Sequence, residues 1–189
     1  MAVRMSMDRT FRVLNRMIDD GVISRYAVAG AVGALAYLEP ITTRDVDILV
    51  AVADLNPTKS GLRTLGPIFS YPGKTGYTQF EDEGVVIEGW PVQFLPVASD
   101  LDAEGLDQAV ENEVEGVKVY VLRPEYLVTA ALKVGRPKDY LRIHAFISSG
   151  ELDRSALAGV LERHHLWDAW KAYCQKFDIT DPAWVDLRS

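Results

Sequence analysis

Asp45-Val46-Asp47-Ile48-Leu49-Val50 reads as a strand: β-branched and apolar except for two aspartates at its head. Side chains two apart on a strand share a face, with α-carbons roughly 6.5–7 Å apart, so Asp45 and Asp47 project together. Two carboxylates side by side repel, and a divalent cation relieves the repulsion. Mg2+, or Mn2+ in its place, suits such a pair, because it takes a few carboxylates and completes its shell with water and phosphate oxygens. The chemistry this favours is phosphoryl or nucleotidyl transfer. Taken alone, Asp-x-Asp is common, and its plain alternative is a strand end with two solvated acids.

Working outward, Tyr26-Ala27-Val28-Ala29 is a short apolar run closed by Gly30-Ala31, fifteen residues ahead of Asp45. The spacing predicts a strand, a tight turn and a helix of small residues, Ala31–Leu38, ending before Pro40. Small residues at Gly30 and Ala31 let backbone N–H groups approach a phosphate near a helix start; a plain tight turn is the competing reading. Thr42-Thr43-Arg44 forms a polar lead-in to the aspartates. The order is then phosphate cradle, helix, polar loop and metal strand.

Further out, Asp8–Gly21 is an amphipathic helix with Phe11, Leu14, Ile18 and Val22 at helical spacing. Leu55–Phe69 reads as a loop and a helix. Val85–Ile87 and Val92–Leu95 read as strands of a hairpin joined by Glu88-Gly89-Trp90-Pro91. Asp102–Asn112 reads as helix and Gly116–Leu122 as strand. From Pro124 the pattern is helical, broken at Gly135-Arg136-Pro137 and Ser148-Ser149-Gly150, with a short tail from Asp181-Pro182. The fold class is therefore α+β: a mixed sheet flanked by helices over residues 1–123, and a helical C-terminal part over 124–189 packed on that core.

Composition narrows the function classes. The 189-residue chain is 48% hydrophobic, enough for a core and against intrinsic disorder. Its longest uncharged stretch, Tyr26–Leu38, is too short for a membrane helix of about 20 residues. Charges throughout Met1–Gly21 argue against a secretory signal, so no membrane and a cytoplasmic location are expected. A single cysteine, Cys174, permits no intrachain disulfide and no cysteine-based zinc site, and reads as a buried thiol of a C-terminal helix. Three histidines make a histidine-rich metal centre untenable. A net charge of −7 argues against a protein whose task is to coat nucleic acid.

Val28-Ala29-Gly30-Ala31 through Arg44-Asp45-Val46-Asp47-Ile48-Leu49-Val50 resembles the DNA polymerase β-type nucleotidyltransferase superfamily, whose motif is a Gly-Gly or Gly-Ser turn, a helix, then Asp-x-Asp in a strand. Within it the chain looks most like small prokaryotic members related to AbiEii/AbiGii-type toxins. The similar stretches include Glu39–Asp45, Ile87–Pro96, and Lys133 with Gly135–Asp139. Ala31 departs from the second small position: a serine hydroxyl is lost and the backbone amide kept. The resemblance implies that Asp45 and Asp47 hold the metal that carries a nucleoside triphosphate. It places Gln93 where a third carboxylate, on a neighbouring strand, normally acts on the attacking hydroxyl. It therefore implies that Tyr26–Ala29, Asp45–Ala53 and Val92–Leu95 are neighbouring strands of one mixed sheet, with Gln93 on the side that carries Asp45 and Lys133 on a helix facing the exposed edge. Glutamine can offer a carbonyl oxygen but cannot serve as a base; Glu88, near the hairpin turn, is the candidate substitute.

The resemblance also brings in Lys133, whose ammonium could neutralise a triphosphate, against the reading of a surface lysine. Gly30, Ala31, Arg44, Arg136 and Lys138 are the other candidate nucleotide contacts. Arg136, Lys138 and Arg142 form the one locally basic stretch, interrupted by Asp139. Trp90 could stack on a base, although packing is the commoner role. His164-His165 reads as structural, with Leu161, His165 and Trp170 along a helical packing face. Two functions compete, ahead of a third and weaker one, an unrelated α/β binding domain whose acids are solvated. One is an active nucleotidyltransferase that moves a nucleoside monophosphate from a nucleoside triphosphate to an acceptor hydroxyl of tRNA, a protein or a small molecule. The other is a weak or inactive nucleotide-binding module that meets a cognate antitoxin. Gln93 favours the second and the Asp45/Asp47 pair the first.

Overall fold

The computed structural model describes residues 7–38, 45–51, 68, 78–79 and 84–187. The chain forms two compact units, one drawn from Met1–Gly33 and Thr42–Leu122, the other from Ala34–Ile41 and Arg123–Ser189.

The first unit is a mixed sheet with helices. Its strands are β1 (Arg25–Val28), β2 (Val46–Ala51), β3 (Thr78–Gln79), β4 (Gly84–Ile87), β5 (Trp90–Pro96), β6 (Val110–Val114) and β7 (Val117–Val121), in the order β3-β4-β5-β2-β1-β7-β6. β2 runs parallel to β5, and β1 is antiparallel to β2. The three strands expected to be neighbours are neighbours. Helix α1 (Asp8–Asp19) lies across one face of the sheet: the Thr10 hydroxyl donates to Ile87 O (3.0 Å), and the Tyr26 hydroxyl donates to Asn15 Oδ1 (2.9 Å). Tyr26 is in register with Val50, so the face under α1 carries Val46, Ile48 and Val50, all fully buried. Phe11, Leu14 and Met17 of α1 complete this core. By strand alternation, Asp47 and Leu49 occupy the opposite face.

Three sequence expectations are corrected here. The helix after Gly30 is short, α2 (Gly30–Ala34), and runs into turns closed by Tyr37 N–H and Leu38 N–H on Ala34 O. The β4–β5 connection is two residues, Glu88 and Gly89, both at positive φ (50° and 88°), so Trp90 and Pro91 belong to the strand. That is the backbone a tight hairpin requires. Residues 110–112 are not helical: α3 (Asp100–Asp107) ends early, and β6 pairs with β7 through a second two-residue turn, Glu115-Gly116 (φ 51° and 77°). Most of the expected 55–69 helix lies outside the described residues.

The second unit is helical: α4 (Pro124–Val134), α5 (Pro137–Ser149), α6 (Arg154–Arg163), α7 (Trp167–Lys176) and α8 (Pro182–Val185). Gly135 and Gly150 end α4 and α5 in left-handed conformation (φ 69° and 80°), at the breaks the sequence marks. The core holds Phe146, Leu157, Leu161 and Trp170, all fully buried, and the Trp170 indole N–H donates to Trp184 O (2.8 Å). Cys174 is buried in α7, and burial pushes its thiol pKa up. His165 does not pack with Leu161 and Trp170; it is exposed at φ 55°, in the turn between α6 and α7. No helix among the described residues is long and apolar enough to cross a membrane.

Tyr173 yields a pH prediction. Its side chain is buried, its hydroxyl has no hydrogen-bond partner among the described residues, and burial pushes its pKa from 10.0 up to about 12. Between those values the unfolded chain has lost the proton and the native one keeps it, so stability falls as pH rises. Tyr173→Phe removes this contribution and an unsatisfied polar atom. Denaturant midpoints should be equal to or above those of the parent at pH 7, and should decline less steeply between pH 10 and 12. A steeper alkaline decline in the variant would refute the assignment.

Candidate functional site

The site grows from the edge where β2 begins. Val46 faces the α1 core, so alternation turns Asp47 to the other side, and Asp45, half-buried, immediately precedes the strand. Asp47 is in direct register with Gln93 of the parallel strand β5, and Val46 with Val92. Asp47 and Gln93 are therefore lateral neighbours on one face, both half-buried. Gln93 lies on the same side of the sheet as Asp47; the sequence reading sets it beside Asp45.

Gly30 closes the other flank. The Ala29 N–H donates to Asp47 O (2.8 Å), which seats the β1–α2 turn against β2. Gly30 sits at φ 57°, and a β-carbon there would lie 1.8 Å from Asp47 Oδ2 and 2.7 Å from its Cγ. No side chain fits, so glycine is required twice over: by the left-handed backbone and by the carboxylate resting on its α-carbon. Sequence reasoning placed Gly30 near a phosphate but not against Asp47, because such a contact depends on strand register. Ala31 follows as a half-buried residue of α2.

Of the remaining candidates, Glu88 and Trp90 belong to the first unit and Lys133, Arg136 and Lys138 to the second. Arg44 lies outside the described residues. Glu88 is exposed in the hairpin turn. Among the described residues no group of three or more His, Cys, Asp or Glu could hold a metal, so Glu88 does not complete a triad with Asp45 and Asp47. Trp90 is half-buried at the start of β5, paired with Ile87. Lys133 is exposed on the last turn of α4, and Lys138 is exposed on the first turn of α5, both in the second unit. Arg136 N-caps α5 and directs Nε to Asp139 Oδ2 (2.8 Å), while Arg142 Nη1 lies 3.6 Å from Asp139 Oδ1. Asp139 is only 1% exposed. The acid that interrupts the basic stretch in sequence is the buried partner of two of its arginines.

The donor set at the β2 edge is all oxygen: two carboxylates and, beside them, a carboxamide carbonyl. Hard divalent cations take such donors, so the residues fit Mg2+ or Mn2+ and do not fit a soft metal.

No protein-family model and no curated protein matches the chain. Among solved structures, the chain is similar to the crystal structure of an antigenic nucleotidyltransferase-like protein from Paracoccidioides brasiliensis. The two are 17% identical over 87% of this chain and 93% of that one, with a TM-score of 0.48. A likeness at this level carries no weight for function, which has to be argued from the residues.

Proposed function

We propose that this chain is a metal-dependent nucleotidyltransferase, which moves a nucleoside monophosphate from a nucleoside triphosphate to an acceptor. The observation that supports the reading is the packing of the Asp47 carboxylate against Gly30, with Asp45 two residues before it and Gln93 alongside. This one edge brings a carboxylate pair against a glycine turn, which in this reading would meet the phosphate through its backbone N–H groups.

In this reading Asp45 and Asp47 would hold Mg2+ or Mn2+, which when bound supplies charge neutralisation at the transferring phosphate. The Gly30-Ala31 turn orients the triphosphate by close approach of its backbone. Gln93 faces the position of the acceptor and presents an amide rather than a base. Lys133 enters as a phosphate contact from the resemblance, Arg136 and Lys138 from the locally basic stretch, and Arg44 from its place before the aspartates. The finer placement near AbiEii/AbiGii-type toxins belongs to the same proposal, as do an RNA, protein or small-molecule acceptor and a cognate antitoxin.

Magnesium with a nucleoside triphosphate should raise the melting temperature. At a ligand concentration one hundred times Kd the gain is about 2.7 kcal/mol, or roughly 5–10 °C for a chain of this size. Asp45→Asn with Asp47→Asn should abolish the rise while leaving the ligand-free melting temperature nearly unchanged. A double variant still stabilised by the pair would overturn the metal assignment. A second reading, a nucleotide-binding module without transfer, is favoured by Gln93. It predicts the same ligand-induced rise with no labelled product from any acceptor.

A further inference from the structure

Gln93 bears on the acceptor. We infer that the site takes an acceptor oxygen already ionised at neutral pH, that of a phosphate or a carboxylate, rather than an alcohol. The inference rests on the proposed nucleotidyl transfer and deepens it by naming the substrate class.

The argument starts from register. Gln93 is the lateral neighbour of Asp47 across parallel strands, half-buried and on the same face. Whatever approaches a triphosphate held at Asp45 and Asp47 from the β5 side meets this carboxamide. A carboxylate at that place would take a proton from an alcohol and repel an anion. A carboxamide does neither: it cannot accept the proton at neutral pH, and its two N–H groups donate to an anionic oxygen.

The bonds balance differently for the two acceptor classes. When an oxyanion attacks the α-phosphorus, a new O–P bond forms. The bond from the α-phosphorus to the bridging oxygen breaks, and pyrophosphate leaves with the electron pair. No proton moves. With an alcohol the same exchange also needs the O–H proton transferred to a base, and losing that help typically lowers the rate 10²–10⁴-fold. Inorganic phosphate, the smallest phosphate acceptor, gives a nucleoside diphosphate and pyrophosphate. Acetate gives a mixed acyl anhydride that hydroxylamine traps.

The test has a binding arm and a transfer arm. In the first, the full chain is loaded with magnesium and an α,β-methylene triphosphate analogue, and its melting temperature is followed as phosphate, acetate or glycerol is added. The expected result is a further rise with phosphate or acetate, none with glycerol, and loss of that rise in Gln93→Asp. In the second, labelled phosphate should enter nucleoside diphosphate, or acetate should yield trapped hydroxamate. Gln93→Asp should reduce this at least tenfold and raise transfer to glycerol. Whichever anion responds identifies the acceptor group. If the analogue stabilises the chain but neither anion adds to it, the acceptor inference fails alone. It also fails if Gln93→Asp leaves the anion response intact. If magnesium and the analogue do not stabilise the chain at all, the proposed function fails and the inference falls with it.

Discussion

Gly30→Ala should remove magnesium-triphosphate stabilisation and at least 10²-fold of any transfer activity, through one added methyl group. The new carbon would fall 1.8 Å from Asp47 Oδ2, far inside van der Waals contact, on a backbone held at φ 57°. Two costs add. A non-glycine residue in the left-handed region costs about 1–2 kcal/mol, and overpacking a fitted contact costs about 1–3 kcal/mol more. Rotating the carboxylate away does not relieve the clash, because Asp47 Cβ itself would lie 2.9 Å from the new carbon, so the turn and the head of β2 must move apart. A displacement of about 1 Å is enough to cost 10²-fold in a positioned reaction. Gly116→Ala is the matched control: its φ is 77°, and an added β-carbon meets nothing within 4 Å. It should lose only the backbone term and keep full ligand stabilisation. Equal effects of the two variants on ligand-induced melting shifts would show that the Gly30–Asp47 contact does not matter.

That contact marks the boundary of what the residues alone disclose. The β2 strand and its acids are legible because β-branched residues with a period of two leave one arrangement. The neighbours of β2, and with them the side on which Gln93 falls, come from the family resemblance rather than from a local pattern. The breaks at Gly135 and Gly150 are legible because only glycine ends a helix cheaply in left-handed conformation. β6 escapes because Val110-Glu111-Asn112-Glu113-Val114 carries acids on an edge strand, where one side faces water and the apolar signal vanishes. The two-residue turn at Glu88-Gly89 escapes because a glutamate at positive φ is uncommon. The Gly30–Asp47 approach depends on β1–β2 pairing, a long-range fact that no local pattern encodes. Arg136 and Arg142 each lie three residues from Asp139, and what the local pattern does not disclose is that Asp139 is buried.

Asp139→Ala should destabilise the chain by about 2–4 kcal/mol, within the range for removing one member of a buried ion pair, discounted for the partial exposure of its partners. Asp139 is buried and accepts from the Arg136 Nε (2.8 Å) and the Arg136 backbone N–H (3.2 Å), so it closes a capping box at the start of α5. Arg142, with its side chain only 12% exposed, would lose the carboxylate that faces it. Asp139→Asn keeps the size and one acceptor, and should cost about half as much. Arg136 is 57% exposed and should matter less to stability than its partner, so Arg136→Ala should lose about 0.5–1.5 kcal/mol, mostly from the cap. Denaturant midpoints of the three variants should therefore fall in the order Asp139→Ala, Asp139→Asn, Arg136→Ala, from most to least destabilised. The functional consequence separates two readings of the basic stretch. If the Asp139 pair fixes α5 and the guanidinium serves only that pair, Arg136→Ala leaves magnesium-triphosphate stabilisation intact while lowering the ligand-free melting temperature. If Arg136 also meets phosphate, the ligand-induced rise falls in Arg136→Ala and is kept in Arg136→Lys. The structure favours the first outcome, because the guanidinium is already directed at a buried carboxylate.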